Sequence, residues 1–389
     1  MRVTHVITRL IVGGAQENTI ASVLGLRKKP DCDAELISGP STGPEGSLES
    51  EFNAAPGVLT IQPQLVRPVH PWNDLVALQK LTRLFRERKP DIVHTHSGKA
   101  GVLGRIAAAR AAVPVIVHTI HGPSFGPFQG GLANTVFLAA EKRAARHTTH
   151  FVSVADAMTR QYLDAGIGTP AQYSTIRSGF PLQPYLTARN DPSLRARLGL
   201  KPEDIVIGKI ARLFKLKGHD DLFEVAPRLV KEMPQIKFLL VGDGEWRDRF
   251  EQMARDRNLH GHFIFTGLVP PEQIPALVGV MDIVVHLSQR EGLPRALPQA
   301  LAAAKPVVAY DCDGAREVCL DNQSGFLIRV GHLNGLTDRL LLLARDASLR
   351  EQFGTFGQQF VRDRFSVEKM VDDLYSLYLK LAKKAGAND

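Results

Sequence analysis

The chain has 389 residues, 44% of them hydrophobic and 23% charged, which argues against disordered, collagen-like and low-complexity classes and makes two domains the natural division. Its formal charge of +8 admits nucleic acid, an anionic membrane face or a phosphorylated small molecule as partner, and the excess sits in the first half, where residues 1–180 hold 19 Lys and Arg against 13 Asp and Glu. Three scattered cysteines, Cys32, Cys312 and Cys319, lack CxxC spacing, which argues against a disulfide framework and a structural zinc site and fits a reducing cytosol.

The first half alternates strands and helices. RVTHVITRL (residues 2–10) predicts a strand, IVGGA a loop and QENTIASVLGLRKK (16–29) a helix. AELIS is a second strand. Residues 75–89 have the Leu and Phe spacing of a helix with a basic outer face, stopped by Pro90. DIVHTHS (91–97) is a buried strand, AGVLGRIAAARAA a small-residue helix and VPVIVHTIHG (113–122) a further strand.

The pattern restarts near residue 204. IVIGKIARL, IKFLLVGDG, HFIFTGLV and DIVVHLS predict strands, and DDLFEVAPRLVKEM, WRDRFEQMARDRN and PEQIPALVGVM helices between them. Such alternation means parallel sheets with helices on both faces. The prediction is two doubly wound α/β domains, residues 1–180 and 181–365. Residues 178–193, with three prolines and no periodicity, read as the linker, and residues 366–389 as a long amphipathic C-terminal helix. No segment approaches the roughly 20 apolar residues that span a bilayer. The apolar start is a short strand broken by Arg9, not a signal peptide. The expected location is the cytoplasm, either free or peripheral on the inner face of the membrane.

Ligands of open α/β sheets sit outside the C-terminal strand ends. After the first strand come Gly13 and Gly14, which permit close backbone approach at a helix start; a plain tight turn explains them equally, and GxGxxG spacing is absent. After IGKIARL come Arg212 and Lys217, suited to a diphosphate or to an exposed basic turn. Gly242, in VGDG, is a comparable turn. His121 lies in a loop at a strand end, where catalytic groups concentrate, although a lone His is often structural. His94 and His96 share a strand face, but no third Cys, Asp or Glu accompanies them as a metal ligand. Asp311-Cys312-Asp313 reads as turn chemistry. In REGLPRALPQ (290–299), Glu291 follows a buried strand as a carboxylate for sugar hydroxyls. Gly292 and Leu293 offer backbone N–H groups at the coming helix N-terminus. Pro298 signals a kink or a late helix start.

These stretches form a recognisable set. GGAQ, PDIVHTHSGKAGVLGR, VHTIHG, ARLFKLKGHDDL, FLLVGDGEWRDRFE, FTGLV, the run from SQREGLPRALPQ to DNQSGFLI and the ending FSVEKMVDDLYSLYLKL together resemble retaining glycosyltransferases of the GT-B fold, family 4 (the glycosyltransferase group 1 type), as in bacterial polysaccharide biosynthesis. The resemblance covers nearly the whole chain. It implies two Rossmann-like domains facing across a cleft, the first binding acceptor and the second nucleotide sugar, with the C-terminal helix crossing back to the first domain.

The resemblance also implies roles. Arg212 and Lys217 match the cations that bind the donor diphosphate, and Glu291 the first acid of a Glu–seven residues–Glu signature that holds the donor sugar. Gly292 and Leu293 match the backbone donors beside it, Gly13 and Gly14 the first-domain loop near the diphosphate, and His121 a His at the reaction centre. Leu268 falls where the family reads the base through main-chain groups. Gln299 stands where the second, ribose-binding acid is usual; it keeps an acceptor and adds an NH₂ donor. The implied reaction moves a hexose from a nucleotide diphosphate sugar, a UDP-sugar by family analogy, to a saccharide or lipid-linked saccharide, with no metal and no other cofactor. The first-domain charge suggests an anionic membrane surface as a further partner. No basic run interleaved with aromatics points to nucleic acid. A sugar-nucleotide epimerase of the same fold and a nucleotide-sugar-binding protein with weakened catalysis are the alternatives.

Overall fold

The central strands are runs of aliphatic and β-branched residues buried on both faces, the composition of parallel sheets sandwiched by helices. The structure is a computed structural model and describes residues 1–41, 46–96 and 98–386. Ser97, the end of the predicted strand 91–97, and residues 387–389 of the predicted C-terminal segment lie outside the described residues.

Contacts divide the chain into one unit of Met1–Phe180 with Ser366–Asp389 and another of Pro181–Phe365. The first unit runs β1 (Arg2–Ile7), α1 (Gly14–Leu26), β2 (Asp33–Ser38), β3 (Leu59–Ile61), α2 (Pro71–Arg88), β4 (Ile92–His96), α3 (Gly98–Arg110), β5 (Val115–Ile120), α4 (Gly131–Ala145), β6 (His150–Ser153), α5 (Asp156–Asp164) and β7 (Tyr173–Thr175). The second holds α6 (Gln183–Leu186), α7 (Pro192–Arg197), β8 (Ile205–Ile210), α8 (His219–Glu232), β9 (Ile236–Val241), α9 (Arg247–Asp256), β10 (Phe263–Phe265), α10 (Ile274–Gly279), β11 (Ile283–His286), α11 (Ala296–Ala302), β12 (Val307–Tyr310), β13 (Gly325–Ile328), α12 (Leu333–Arg345) and α13 (Ala347–Arg362). The last helix, α14 (Val367–Gly386), returns to the first unit.

All strand pairs are parallel. The sheet orders are β3-β2-β1-β4-β5-β6-β7 and β10-β9-β8-β11-β12-β13. In each sheet the winding direction reverses once, between β1 and β4 and between β8 and β11. Such switch points open a crevice at the strand C-termini.

In the first unit, Val3, Ile7 and Val117 pack under α1 and under Leu374 and Tyr378 of α14. The opposite face packs Val6, Val93 and Ile116 against α2 and α3. Gly25 lets α1 meet α14: a Cβ there would lie 2.4 Å from Val371 Cγ2. In the second unit Phe223, Phe263 and Phe238 stack in sequence, with ring centroids 4.1 and 4.5 Å apart, inside a core shared by β8, β9 and β11.

Three boundaries differ from the sequence reading. Helix α2 begins at Pro71, four residues before the predicted start. His70 caps it by accepting from Asn73 N at 3.3 Å, and Pro71 occupies the first turn, where its missing N–H costs nothing. Helix α1 begins at Gly14 rather than Gln16. The stretch 178–193 contains α6 and the start of α7, with Phe180 and Tyr185 buried, so its prolines start short helices rather than leaving it extended. Among the described residues, no helix is long and apolar enough to cross a membrane.

Candidate functional site

Unit two places its predicted residues at the ends of four adjacent strands. The β8 exit carries Arg212 and Lys217, the β11 exit Glu291, the β9 exit Gly242 and the β10 exit Leu268. The loops close together because two glycines allow it. At Gly218 the backbone is left-handed (φ 68°), and a Cβ would lie 2.0 Å from the Leu287 carbonyl oxygen. At Gly242 (φ 134°) a Cβ would lie 2.4 Å from the Ala211 carbonyl oxygen. Only glycine fits either position. The Gln289 N–H donates to the Leu216 carbonyl at 2.9 Å, tying the β8 loop to the β11 loop.

That tie brings Lys217 against Glu291. The Lys217 ammonium donates to Glu291 Oε1, and each side chain is 23% exposed. The sequence grouped Lys217 with Arg212, but its direct partner is the carboxylate; Arg212 instead has its guanidinium 4.9 Å from the Phe214 ring centroid. His286 Nε2 stands 3.6 Å from the same carboxylate oxygen. Burial by itself would raise the Glu291 carboxyl, but Lys217, together with His286 and Ser288, holds the pKa below the usual value. Behind them lies Lys209, 1% exposed, whose Nζ has no hydrogen-bond partner. Burial, with Lys217 nearby, pushes its pKa down to about 7. Burial likewise lowers His286 to about 3, so it is neutral at pH 7.

The backbone around Glu291 differs from the expectation. Helix α11 begins only at Ala296, so Gly292 and Leu293 lie in the preceding loop and not at a helix N-terminus. The reason is Pro298: it sits in the first turn of α11, where a proline lacks no needed bond. The late start, not the kink, is what forms. Leu293 is buried at 8% exposure. The Glu291 N–H is occupied, donating to Asp313 Oδ2 at 2.7 Å, and the Gly292 carbonyl accepts from Gly314 N at 3.1 Å. Asp313 thus fixes the loop, and Asp311 pairs with Arg316, in keeping with turn chemistry for DCDG. Gln299 is partly buried within α11. Gly242 N donates to the Gly267 carbonyl at 3.2 Å, and the adjoining Leu268 is 53% exposed, unusual for so apolar a residue.

In unit one, Gly13 precedes α1 in extended backbone, and Gly14 is the first helical residue. His121 follows β5. Its Nε2 lies 3.0 Å from His96 Nδ1, and the rings stack with centroids 5.2 Å apart. His96 Nε2 lies 2.8 Å from His5 Nδ1. The His94–His96 pair therefore has a third imidazole after all, supplied by β1 and not by a nearby acid: ligand atoms of His5, His94 and His96 lie within 4.8 Å of one another. His5 and His94 are register partners on adjacent parallel strands, which is why they share a face. Burial keeps these rings neutral, with His5 and His121 lowered to about 3.

The sequence reading missed His5, Lys209 and His286. His5 and Lys209 had a signal: each is a polar residue inside an otherwise apolar strand, where burial requires a partner.

Two family models match the chain: "Glycosyl transferases group 1" over residues 190–360 and "Glycosyl transferase 4-like domain" over residues 14–179. The chain is 29% identical, over 82% of its own length and 83% of the relative's, to UDP-Gal:alpha-D-GlcNAc-diphosphoundecaprenol alpha-1,3-galactosyltransferase of Escherichia coli. It is 24% identical, over 92% and 93%, to the capsular polysaccharide biosynthesis glycosyltransferase CapM of Staphylococcus aureus. Among solved structures, HepE of Anabaena, in complex with UDP and glucose, is similar with a TM-score of 0.82 at 22% identity, covering 98% of this chain and 100% of that one. Its GT-B fold, built of two parallel α/β units, is the fold of this chain.

Proposed function

The chain belongs to the group 1 glycosyltransferases and uses a nucleotide-sugar donor, and from that premise we propose that it moves a hexose from a UDP-sugar to a hydroxyl of a saccharide or lipid-linked saccharide, with retention of configuration and without a metal. The observation that carries this reading is the Lys217–Glu291 pair at the switch point of the second sheet. A carboxylate held ionised accepts from sugar hydroxyls, while the ammonium beside it, with Arg212, faces a diphosphate.

In this reading, bond cleavage at the anomeric carbon leaves negative charge on the diphosphate. Arg212 and Lys217 stabilise it, the task a metal ion performs elsewhere. Gly13 and Gly14 offer backbone N–H groups at the start of α1, which suit an anion. Glu291 fixes the sugar, with Gly292 and Leu293 beside it. Gly242 and the main chain at Leu268 hold the base, and Gln299 the ribose. The departing phosphate oxygen takes the proton of the acceptor hydroxyl as the new bond forms on the same face. We assign His121, at the exit of β5, a role at the sugar.

The E. coli relative is named for a UDP-galactose donor and an undecaprenol-diphosphate acceptor, and the HepE structure holds UDP and glucose; both support a uridine donor. An anionic lipid-linked acceptor at a membrane surface fits the start of α2, where Val69, Trp72 and Leu75 are 69%, 68% and 44% exposed in the same stretch as Arg67.

A thermal-shift panel of UDP-, GDP- and ADP-sugars tests the donor. Stabilisation by a UDP-sugar alone is expected; stabilisation by another nucleotide sugar instead rules the uridine assignment out. The anomeric configuration of the product, read by NMR, decides retention. Co-sedimentation with anionic liposomes that weakens with salt is the result expected for the membrane surface.

A further inference from the structure

The buried histidines of unit one form a continuous hydrogen-bonded chain, and its direction follows from one hydroxyl proton. Starting at β5, Thr119 Oγ1 lies 2.6 Å from His94 Nε2. His94 Nδ1 is bonded to the Tyr378 hydroxyl of α14. That hydroxyl lies 3.3 Å from His5 Nε2. His5 Nδ1 is 2.8 Å from His96 Nε2, and His96 Nδ1 is 3.0 Å from His121 Nε2. Four rings, one phenol and one hydroxyl thus run in series, and only the His121 end, with Nδ1 beyond the chain, reaches partial exposure.

A neutral imidazole has one donor and one acceptor nitrogen. Burial disfavours the charged form of each ring here. Each link therefore sets the next, and the chain has only two arrangements. In one, the Thr119 hydroxyl donates to His94, His94 to Tyr378, Tyr378 to His5, His5 to His96 and His96 to His121 Nε2. In the other, every bond reverses and the Thr119 hydroxyl accepts from His94. Thr119 is 3% exposed, and among the described residues its hydroxyl makes no other hydrogen bond. The reversed arrangement leaves that buried proton without an acceptor, while the first leaves only spare oxygen lone pairs. An unsatisfied buried donor is the costlier fault, by on the order of tenfold or more in population.

We infer that this chain fixes His121 in the tautomer protonated at Nδ1, so that His121 presents a hydrogen-bond donor to a substrate oxygen rather than a base, with Thr119, Tyr378 and His5 as positioning residues. The inference rests on the reading of His121 as a residue near the donor sugar. It also links the C-terminal helix to the site through one hydroxyl, that of Tyr378.

The tautomer is readable without turnover. In protein labelled with 15N-histidine, the His121 resonances should show Nδ1 protonated and Nε2 bare in the wild type. Thr119→Val removes the end that sets the direction, and Tyr378→Phe cuts the chain in the middle; each should bring a measurable Nε2-protonated population at His121. Thr119→Ser should restore the wild-type pattern. Turnover with T119V should fall by roughly tenfold or less, the worth of one neutral hydrogen bond, with the donor KM nearly unchanged and activity recovered in T119S. Nε2 protonation in the wild type, or a tautomer unmoved by both T119V and Y378F, overturns the inference. So does stoichiometric bound metal in the purified protein, since His5, His94 and His96 would then be ligands. Failure of the His121 assignment is distinct: it appears as unchanged transfer in His121→Phe, whatever tautomer the wild type holds.

Discussion

Lys217 and Glu291 are 74 positions apart in sequence and form one ion pair, with Lys209 buried behind it and Asp313 anchoring the carboxylate's own backbone. Removing the carboxylate leaves the Lys217 ammonium beside Lys209 without its ion-pair partner. Glu291→Gln keeps the shape and removes the charge. Transfer should drop by about 10- to 100-fold, the range of one charge-assisted hydrogen bond. The measurement is kcat/KM at pH 7 alongside far-UV circular dichroism. A variant with wild-type turnover removes Glu291 from the sugar site.

Gly218 should tolerate nothing larger. Its left-handed backbone and the 2.0 Å approach of a Cβ to the Leu287 carbonyl make Gly218→Ala costly by about 2 kcal/mol or more. For domains of this size that lowers Tm by at least about 4 °C. Activity should fall further than stability, because the clash moves Lys217 away from Glu291. Gly261→Ala is the control: a Cβ there meets nothing within 4 Å, so its Tm should stay near wild type.

Acid should unfold the first unit through its histidines. Burial lowers His5 and His121 from 6.5 to about 3, and His94 and His96 well below 6.5. Their contribution is fully present above pH 6.5. As pH falls below that value the unfolded chain takes up protons that the folded chain refuses, so stability declines down to about pH 3. Urea denaturation between pH 8 and pH 4 should give a midpoint that falls steadily below pH 6.5. A midpoint unchanged at pH 4 would contradict the buried neutral cluster.

Lys209 predicts a slope of its own. Its folded pKa of about 7 lies below the unfolded value of 10.5, so stability is greatest above 10.5 and is lost as pH falls toward 7. Lys209→Met removes an amine with no hydrogen-bond partner and abolishes that slope. The variant should melt higher than wild type, with a larger difference at pH 7 than at pH 9.5. Differential scanning calorimetry at the two pH values reads both signs.

Gln299 is the position where the family's second acid is absent. If it holds the ribose as proposed, Gln299→Glu should tighten donor binding by about three- to tenfold and Gln299→Leu should weaken it by a similar factor. Isothermal titration with the preferred nucleotide sugar measures both. Equal affinities for all three proteins would place the ribose elsewhere.

The sequence alone determined much of this. Period and composition decided the strands: buried aliphatic runs separated by helical stretches have no stable arrangement other than parallel sheets covered on both faces. The same rule placed Arg212, Lys217, Glu291 and His121 at strand ends. Only the tertiary structure decided which groups meet. Lys217 pairs directly with Glu291, because Gly218 lets the loops after β8 and β11 close on each other. Glu291 is held by Asp313 rather than by a helix terminus, because Pro298 delays α11. His94 and His96 gain His5 and Tyr378 because parallel register sets β1 beside β4 and α14 lies over that face. Spacing along a chain reports what one element presents; the partners of a buried polar group come from other elements, brought there by sheet order and helix docking.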